Sequence, residues 1–229
     1  MGLYLGKDKI SALRTIEKTT QSMKAYLEAG GKCGSNKVVS FEGCWLVSDW
    51  ENVKDCSRMF YYCGNLESIP TISTGNVTNM ENMFASCNNL TSVPAMDTSK
   101  VTNMHSMFEN CYKLTSAPAM DTINVTDMGR MFYSCYALTS IPEFDASNVK
   151  TIYDIFKNCY KLESIHMHGM NVSFDISSST KFTREALVEI LNNLATVTTS
   201  QTLTMGSTNL AKLTDADKAI ATGKGWTLK

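Results

Sequence analysis

The chain has 229 residues, of which 43% are apolar and 19% charged, with a net charge of -1. This balance excludes an intrinsically disordered chain, and eight cysteines are too sparse for a disulfide-stapled miniprotein. The 21 basic and 22 acidic residues are interspersed, and no apolar run reaches the ~18 residues of a membrane span, so neither nucleic acid nor membrane insertion is expected.

The first 50 residues read as an N-terminal cap or attachment region. MGLYLGKDKI has no basic segment followed by an apolar one, so a secretory signal peptide is not expected. Gly6 stands where myristoylation favours Ser or Thr. The stretch reads as strand, turn and strand about Gly6. Ser11 is placed to cap a helix to about Ala29, with Leu13, Ile16, Met23, Tyr26 and Leu27 on one face and Gly30-Gly31 as its stop. VVSFEGCWLVSDW follows, in which Phe41 and Cys44 echo the spacing of the units downstream, as a decayed first unit would.

Residues 51–172 are built on five copies of a 24-residue unit without insertion. Met59-Phe60 recurs as Met83-Phe84, Met107-Phe108 and Met131-Phe132, then as Ile155-Phe156. Three residues after each Phe stands a cysteine: Cys63, Cys87, Cys111, Cys135 and Cys159. Three further on come Leu66, Leu90, Leu114, Leu138 and Leu162. A valine opens each copy, from Val53 to Val149, and a proline follows LxS-apolar in four of them, with His166 in its place in the fifth. Such columns predict a stack in which each unit buries its apolar face only against its neighbours. Within a copy, Val101, Met104, Met107, Phe108 and Cys111 have the spacing of a short helical stripe, with Thr78, Thr102 and Thr126 at N-cap positions. LTSVP and its equivalents read as short strands that pair in parallel, and Asp97, Asp121 and Asp145 supply turns.

Residues 173–229 read as a C-terminal capping unit. Thr183 caps a helix with Leu187, Ile190, Leu191 and Leu194 on one face, and QTLTM is a strand. Thr214, with Asp217 at the capping-box position and Gly223 as stop, delimits a second helix, and WTLK is a final strand.

The pattern NVTNMxxMFxxCxxLTSxP resembles the BspA-type leucine-rich repeat of bacterial surface proteins and phage genomes, over roughly residues 50 to 172. The resemblance implies an α/β, leucine-rich-repeat-like solenoid with short parallel strands, short helices and irregular terminal caps. It also implies a curved, right-handed stack used for adhesion. The two ends are similar to phage structural proteins: MGLYLGKDKI to their starts, and LAKLTDADKAIATGKGWTLK to the ends of repeat proteins in phage and prophage structural modules.

The candidate contact surface is an aromatic column. Tyr112, Tyr136 and Tyr160 follow the repeat cysteines, with Tyr61, Tyr62 and Tyr133 close by in the unit. Aligned tyrosines stack on sugar rings, anchor a protein partner, or merely shield the edge of the stack. The five repeat cysteines are expected as a buried thiol ladder, because their spacing matches no zinc pattern. A disulfide among Cys33, Cys44 and Cys56 stays open. The aspartate column is either Asx-turn chemistry or calcium binding, and one carboxylate per copy favours turns. Of the histidines His105, His166 and His168, the last two share a strand face but find no evident third ligand, so no metal and no cofactor is expected. Asn76, Asn89, Asn124 and Asn171 stand in sequons but read as turn residues, without glycans. No catalytic fingerprint is present. The expected function is therefore non-enzymatic: a phage virion component, in a tail or head appendage. Its partners would be other virion proteins or a glycan or protein of the bacterial surface, with homo-oligomers open. The alternative is a bacterial BspA-like surface adhesin.

Overall fold

A computed structural model describes residues 53–69 and 71–229. The expectations for residues 1–50, including the strand-turn-strand, the helix from Ser11 and the placement of Cys33 and Cys44, lie outside them.

The repeats do stack, but not as helices. From Cys56 to Leu66, N–H groups alternate between two destinations. Met59, Tyr61 and Cys63 donate three residues back, to Cys56, Arg58 and Phe60. Arg58, Phe60 and Tyr62 donate to Glu81, Met83 and Ala85 of the next copy at 2.8–2.9 Å. The same alternation recurs along the stack, for example in Met104, Ser106, Phe108 and Asn110, which donate to Asp127, Gly129, Met131 and Tyr133. Each rung carries two non-glycine residues of positive φ, from Arg58 and Tyr62 to Asp154 and Asn158, with φ of 53–65°. The physical reason is spacing. Neighbouring Phe rings of the stack lie 5.2–6.2 Å apart, whereas packed α-helices need about 8–10 Å between axes. A ladder of tight turns, each bonded to the next rung, satisfies the backbone at that spacing where a helix does not fit.

The threonines expected as N-caps serve another purpose. Thr78, Thr102 and Thr126 donate their hydroxyls to the carbonyls of Lys54, Thr78 and Thr102, one rung back. Capping falls to the next residue: Asn79, Asn103 and Asp127 accept the N–H of Glu81, His105 and Gly129 on Oδ1. Those three, with Asp55 and Thr151, are joined by parallel bridges from rung to rung.

Among the described residues, the strand expected in every copy is realised as a ladder at the end of the stack. β1 (Ser140–Asp145) and β2 (Ser164–His168) pair in parallel, and one bridge, Ser116 to Ser140, extends the column backwards. Pro94, Pro118 and Pro142 each remove a donor from it. Pro142 lies inside β1, and His166 takes its place in β2.

After β2 comes β3 (Phe174–Asp175), then α1 (Arg184–Asn193), β4 (Gln201–Thr204), α2 (Gly206–Leu210), α3 (Asp215–Thr222) and β5 (Trp226–Leu228). β3, β4 and β5 form a parallel sheet in that order. Thr183 caps α1 by accepting the N–H of Ala186, and Thr214 and Asp217 close a capping box on α3, both as expected. Gly223 ends α3 at a helical φ of -63°, and the left-handed turn falls two residues later at Gly225, φ 87°. α2 was not anticipated; five residues carry too little periodicity to show. α1 has no basic residue in its last turn. Lys224 supplies the charge from outside, donating to the carbonyls of Leu191, Asn192 and Leu194.

One apolar core runs from Val53 to Trp226. Its columns are the sequence columns: Met, Phe, Cys and Leu of each rung are buried, and Phe182, Leu187, Ile190, Leu191 and Trp226 continue it through the C-terminal unit.

Candidate interaction surface

Beneath the surface lie two ladders. The Phe rings from Phe60 to Phe132 stack face to face at 5.2–5.6 Å with 5° between planes. Beside them each cysteine thiol donates to the Phe carbonyl of the rung before: Cys87 to Phe60, Cys111 to Phe84, Cys135 to Phe108 and Cys159 to Phe132, at 3.0–3.3 Å. Burial pushes the Cys111 and Cys135 thiols well above the ordinary range, and Cys159 up to about 12. A thiolate is thus disfavoured, and these groups are poor nucleophiles. Iodoacetamide at mildly alkaline pH is expected to leave Cys111, Cys135 and Cys159 unmodified in the native protein and to alkylate all three in guanidinium. Peptide mapping reads this, and fast native labelling would mean that the ladder opens.

Outside this core, the tyrosines that follow Cys111, Cys135 and Cys159 face solvent. Tyr112, Tyr136 and Tyr160 are exposed by 36%, 41% and 52%. Tyr112 and Tyr136 stack at 4.8 Å with 4° between planes, and Tyr136 and Tyr160 at 5.7 Å with 18°. Ring faces inside this ladder are therefore covered by one another. Edges and hydroxyls are what the ladder presents to solvent, and the Tyr160 hydroxyl donates to Asn158. Desolvation, with Tyr136, Glu109 and Tyr62 near, raises the Tyr112 phenol above its ordinary range, so the hydroxyl stays a neutral donor.

The other three tyrosines of the candidate column sit apart from that ladder. Tyr61 and Tyr62 meet edge to face at 4.4 Å in the first rung. Burial and the contact with Tyr62 raise the Tyr61 phenol. Tyr133 lies under the Arg130 guanidinium, 4.3 Å from its centroid, and Arg130 also pairs with Glu109 at 2.8 Å. Arg130 pins Tyr133, and Tyr133 is not in the stack. Tyr153, 53% exposed and against His105 at 5.8 Å, is a further exposed tyrosine outside the predicted column. Its column holds Ser57, Glu81, His105 and Gly129 in the other copies, so no aromatic periodicity marks it.

The aspartate column is turn chemistry. Asp97, Asp121 and Asp145 accept on Oδ1 from the backbone N–H of Ser99, Ile123 and Ser147. Hydrogen bonds from Ser99 hold the Asp97 carboxyl below its ordinary range. All four sequon amides are engaged: Asn124 and Asn171 donate to the carbonyls of Ser99 and Ser147, Asn89 donates to Asn65 Oδ1, and Asn76 Oδ1 accepts from Lys100. Cys56 is buried.

Comparison with known proteins follows the same division. Residues 128–214 match the "BspA type Leucine rich repeat region (6 copies)". That segment is similar to BspA-type leucine-rich repeats. Residues 40–119 match a family described as "Mycoplasma protein of unknown function, DUF285". Among solved structures, the chain is similar to a T. pallidum leucine-rich-repeat protein, at 17% identity and a TM-score of 0.52, over 77% of this chain and 79% of that one. That likeness shows a leucine-rich-repeat-like fold. No curated protein sequence matches the chain. BspA-type repeats are typical of bacterial surface proteins and of protein-interaction modules, and no helix among the described residues is long and apolar enough to cross a membrane.

Proposed function

We propose that this chain is a non-catalytic interaction module of the BspA surface type, a solenoid over residues 51–172 closed by residues 173–229. We further propose that the Tyr112–Tyr136–Tyr160 edge docks a protein partner. The ring stacking carries the choice of partner. Sugar recognition by tyrosine uses the ring face, and the inner faces here are spent at 4.8 and 5.7 Å within the ladder. Edges and hydroxyls in a row suit the mixed apolar and hydrogen-bonding surface of a protein. The virion reading drew on short terminal resemblances. None of the matches bears a virion description, and the surface reading therefore leads.

Two experiments test this. Antibody against the purified chain is expected to label intact source cells, with the label removed by external protease. Stoichiometric label confined to sedimented virions would reverse the choice. The variant Y112A/Y136A/Y160A, tested as a fluorescent full chain on partner cells, is expected to lose about tenfold or more in adhesion while keeping its Tm. Undiminished adhesion would remove the tyrosine edge from the surface.

A further inference from the structure

Away from the tyrosines, the seam between the last repeat and the C-terminal unit breaks a polar column. Asn124, Asn148 and Asn171 each reach one rung back, donating to the carbonyls of Ser99, Ile123 and Ser147 at 2.7–2.8 Å. The column stops at Asn171. Met170 bridges to Leu194, and Leu194 is followed by Ala195 and Thr196, so the next rung brings no asparagine. Asn171 Oδ1 is left buried and accepts no hydrogen bond among the described residues. A buried acceptor without a donor is unfavourable, and a ligand that brings an N–H relieves it.

The valine column crosses the same seam. Val149 is followed by Val172 and Val197, out of the 24-residue spacing of the repeats. Val149 is buried, whereas Val172 and Val197 are only half-buried against the core. These three valines, with Lys150, Asn171 and the exposed Thr196, line an open groove of about 470 Å³. Among the described residues lining it, Lys150 is the only charged one and none is aromatic. No carboxylate of the described residues pairs with Lys150. Without a ring to stack on, the groove lacks the platform on which sugars are held.

The groove therefore calls for a donor to Asn171 Oδ1, an anion for Lys150 and a small apolar group for the valines. The last residue of a peptide carries all of these together: a backbone N–H, a free carboxylate and a side chain. We propose that this groove binds the free carboxy-terminus of a peptide that ends in a small apolar residue such as valine. The N–H of that residue donates to Asn171 Oδ1, its carboxylate pairs with Lys150 Nζ, and its side chain lies on Val172 and Val197. An open groove gives a dipeptide an affinity of about millimolar class. The site shares no residue with the tyrosine edge and does not depend on it.

The probe is N-acetyl-alanyl-valine, titrated into the isotope-labelled full chain and followed by NMR at the methyl groups of Val172 and Val197. Saturable shifts are expected. Converting the carboxylate to an amide, or replacing the valine N–H by an ester oxygen, should each weaken binding about tenfold. Lys150 is exposed, so K150M should keep its Tm and should bind acid and amide alike. Y112A/Y136A/Y160A should bind the acid as wild type does, which keeps this site's failure apart from that of the tyrosine edge. No shift at these valines up to about 10 mM probe would overturn the proposal, as would equal binding of acid, amide and ester by the wild-type chain. Acetate as effective as the dipeptide would reduce the site to a bare anion contact, and methyl glucoside in place of the dipeptide would make it a sugar site. Either result overturns it.

Discussion

Phe108→Ala is expected to cost about 3–5 kcal/mol of stability. Phe108 is fully buried, with Phe84 on one face at 5.4 Å and Phe132 on the other at 5.6 Å. Its backbone is part of the same joint: the N–H donates to Met131 O, and its carbonyl accepts the Cys135 thiol. Neighbouring rungs cannot collapse into the vacated volume without leaving the ~5 Å spacing that their inter-rung hydrogen bonds require. In a stack, each unit is stabilised only by the units beside it, so a void in the third rung weakens both halves at once. Urea denaturation should show a large fall in midpoint, and Phe108→Leu, which keeps more of the volume, a smaller one. A loss under about 1 kcal/mol would be far below the range for burying a phenyl ring and would mean that the ring ladder is not what holds the rungs together.

The second large effect concerns acid. Arg184 reaches from the start of α1 to Asp217 on α3 with two bonds, Nε to Oδ2 at 2.8 Å and Nη2 to Oδ1 at 2.7 Å. Asp217 also accepts from the N–H and hydroxyl of Thr214. The Arg184 hydrogen bonds first, and then those from Thr214, hold its carboxyl down at about 2. In the unfolded chain an aspartate titrates near ~3.9. The folded group is depressed, so its contribution is full above the unfolded value and disappears as pH falls through the folded one. D217N keeps the shape and removes the charge. It should lower Tm by a constant amount from neutral pH down to about 5, and the gap to wild type should close between roughly pH 4 and 2. Thermal melts across that range read it. A gap that stays constant down to pH 2 would show that the charge is not what joins the two helices.

These two sites differ in how plainly the chain announces them. Phe108 is legible because each column recurs every 24 residues, and recurrence at fixed spacing has only one economical outcome, burial against the neighbouring copy. Thr183, Thr214 and Asp217 are legible because helix caps are local: the bonds span three residues. Arg184 opposite Asp217 is not legible, because 33 residues separate them and no local pattern links the two.

The rungs mark the boundary more sharply. Val101, Met104, Met107, Phe108 and Cys111 fit a helical stripe as well as they fit successive tight turns, since both return to the core every three or four residues. What decides between them is the distance to the next rung, a tertiary quantity. The one local signal was the run of Asn, Ser and Asp at Asn82, Ser86, Ser106, Asn110, Ser134, Asp154 and Asn158, polar residues in the left-handed region.

By itself, then, the sequence determined the repeat, its register, the buried columns and the capped helices of the C-terminal unit, because each follows from spacing along the chain. The tertiary structure alone decided that rungs are turns, since helices are too wide for the stack. It also decided that the tyrosines cover one another's faces, since stacking depends on ring orientation. And it brought Glu189 to His166 and Asp145 to His168, since the helix and the neighbouring strand supply carboxylates that lie 23 residues away along the chain.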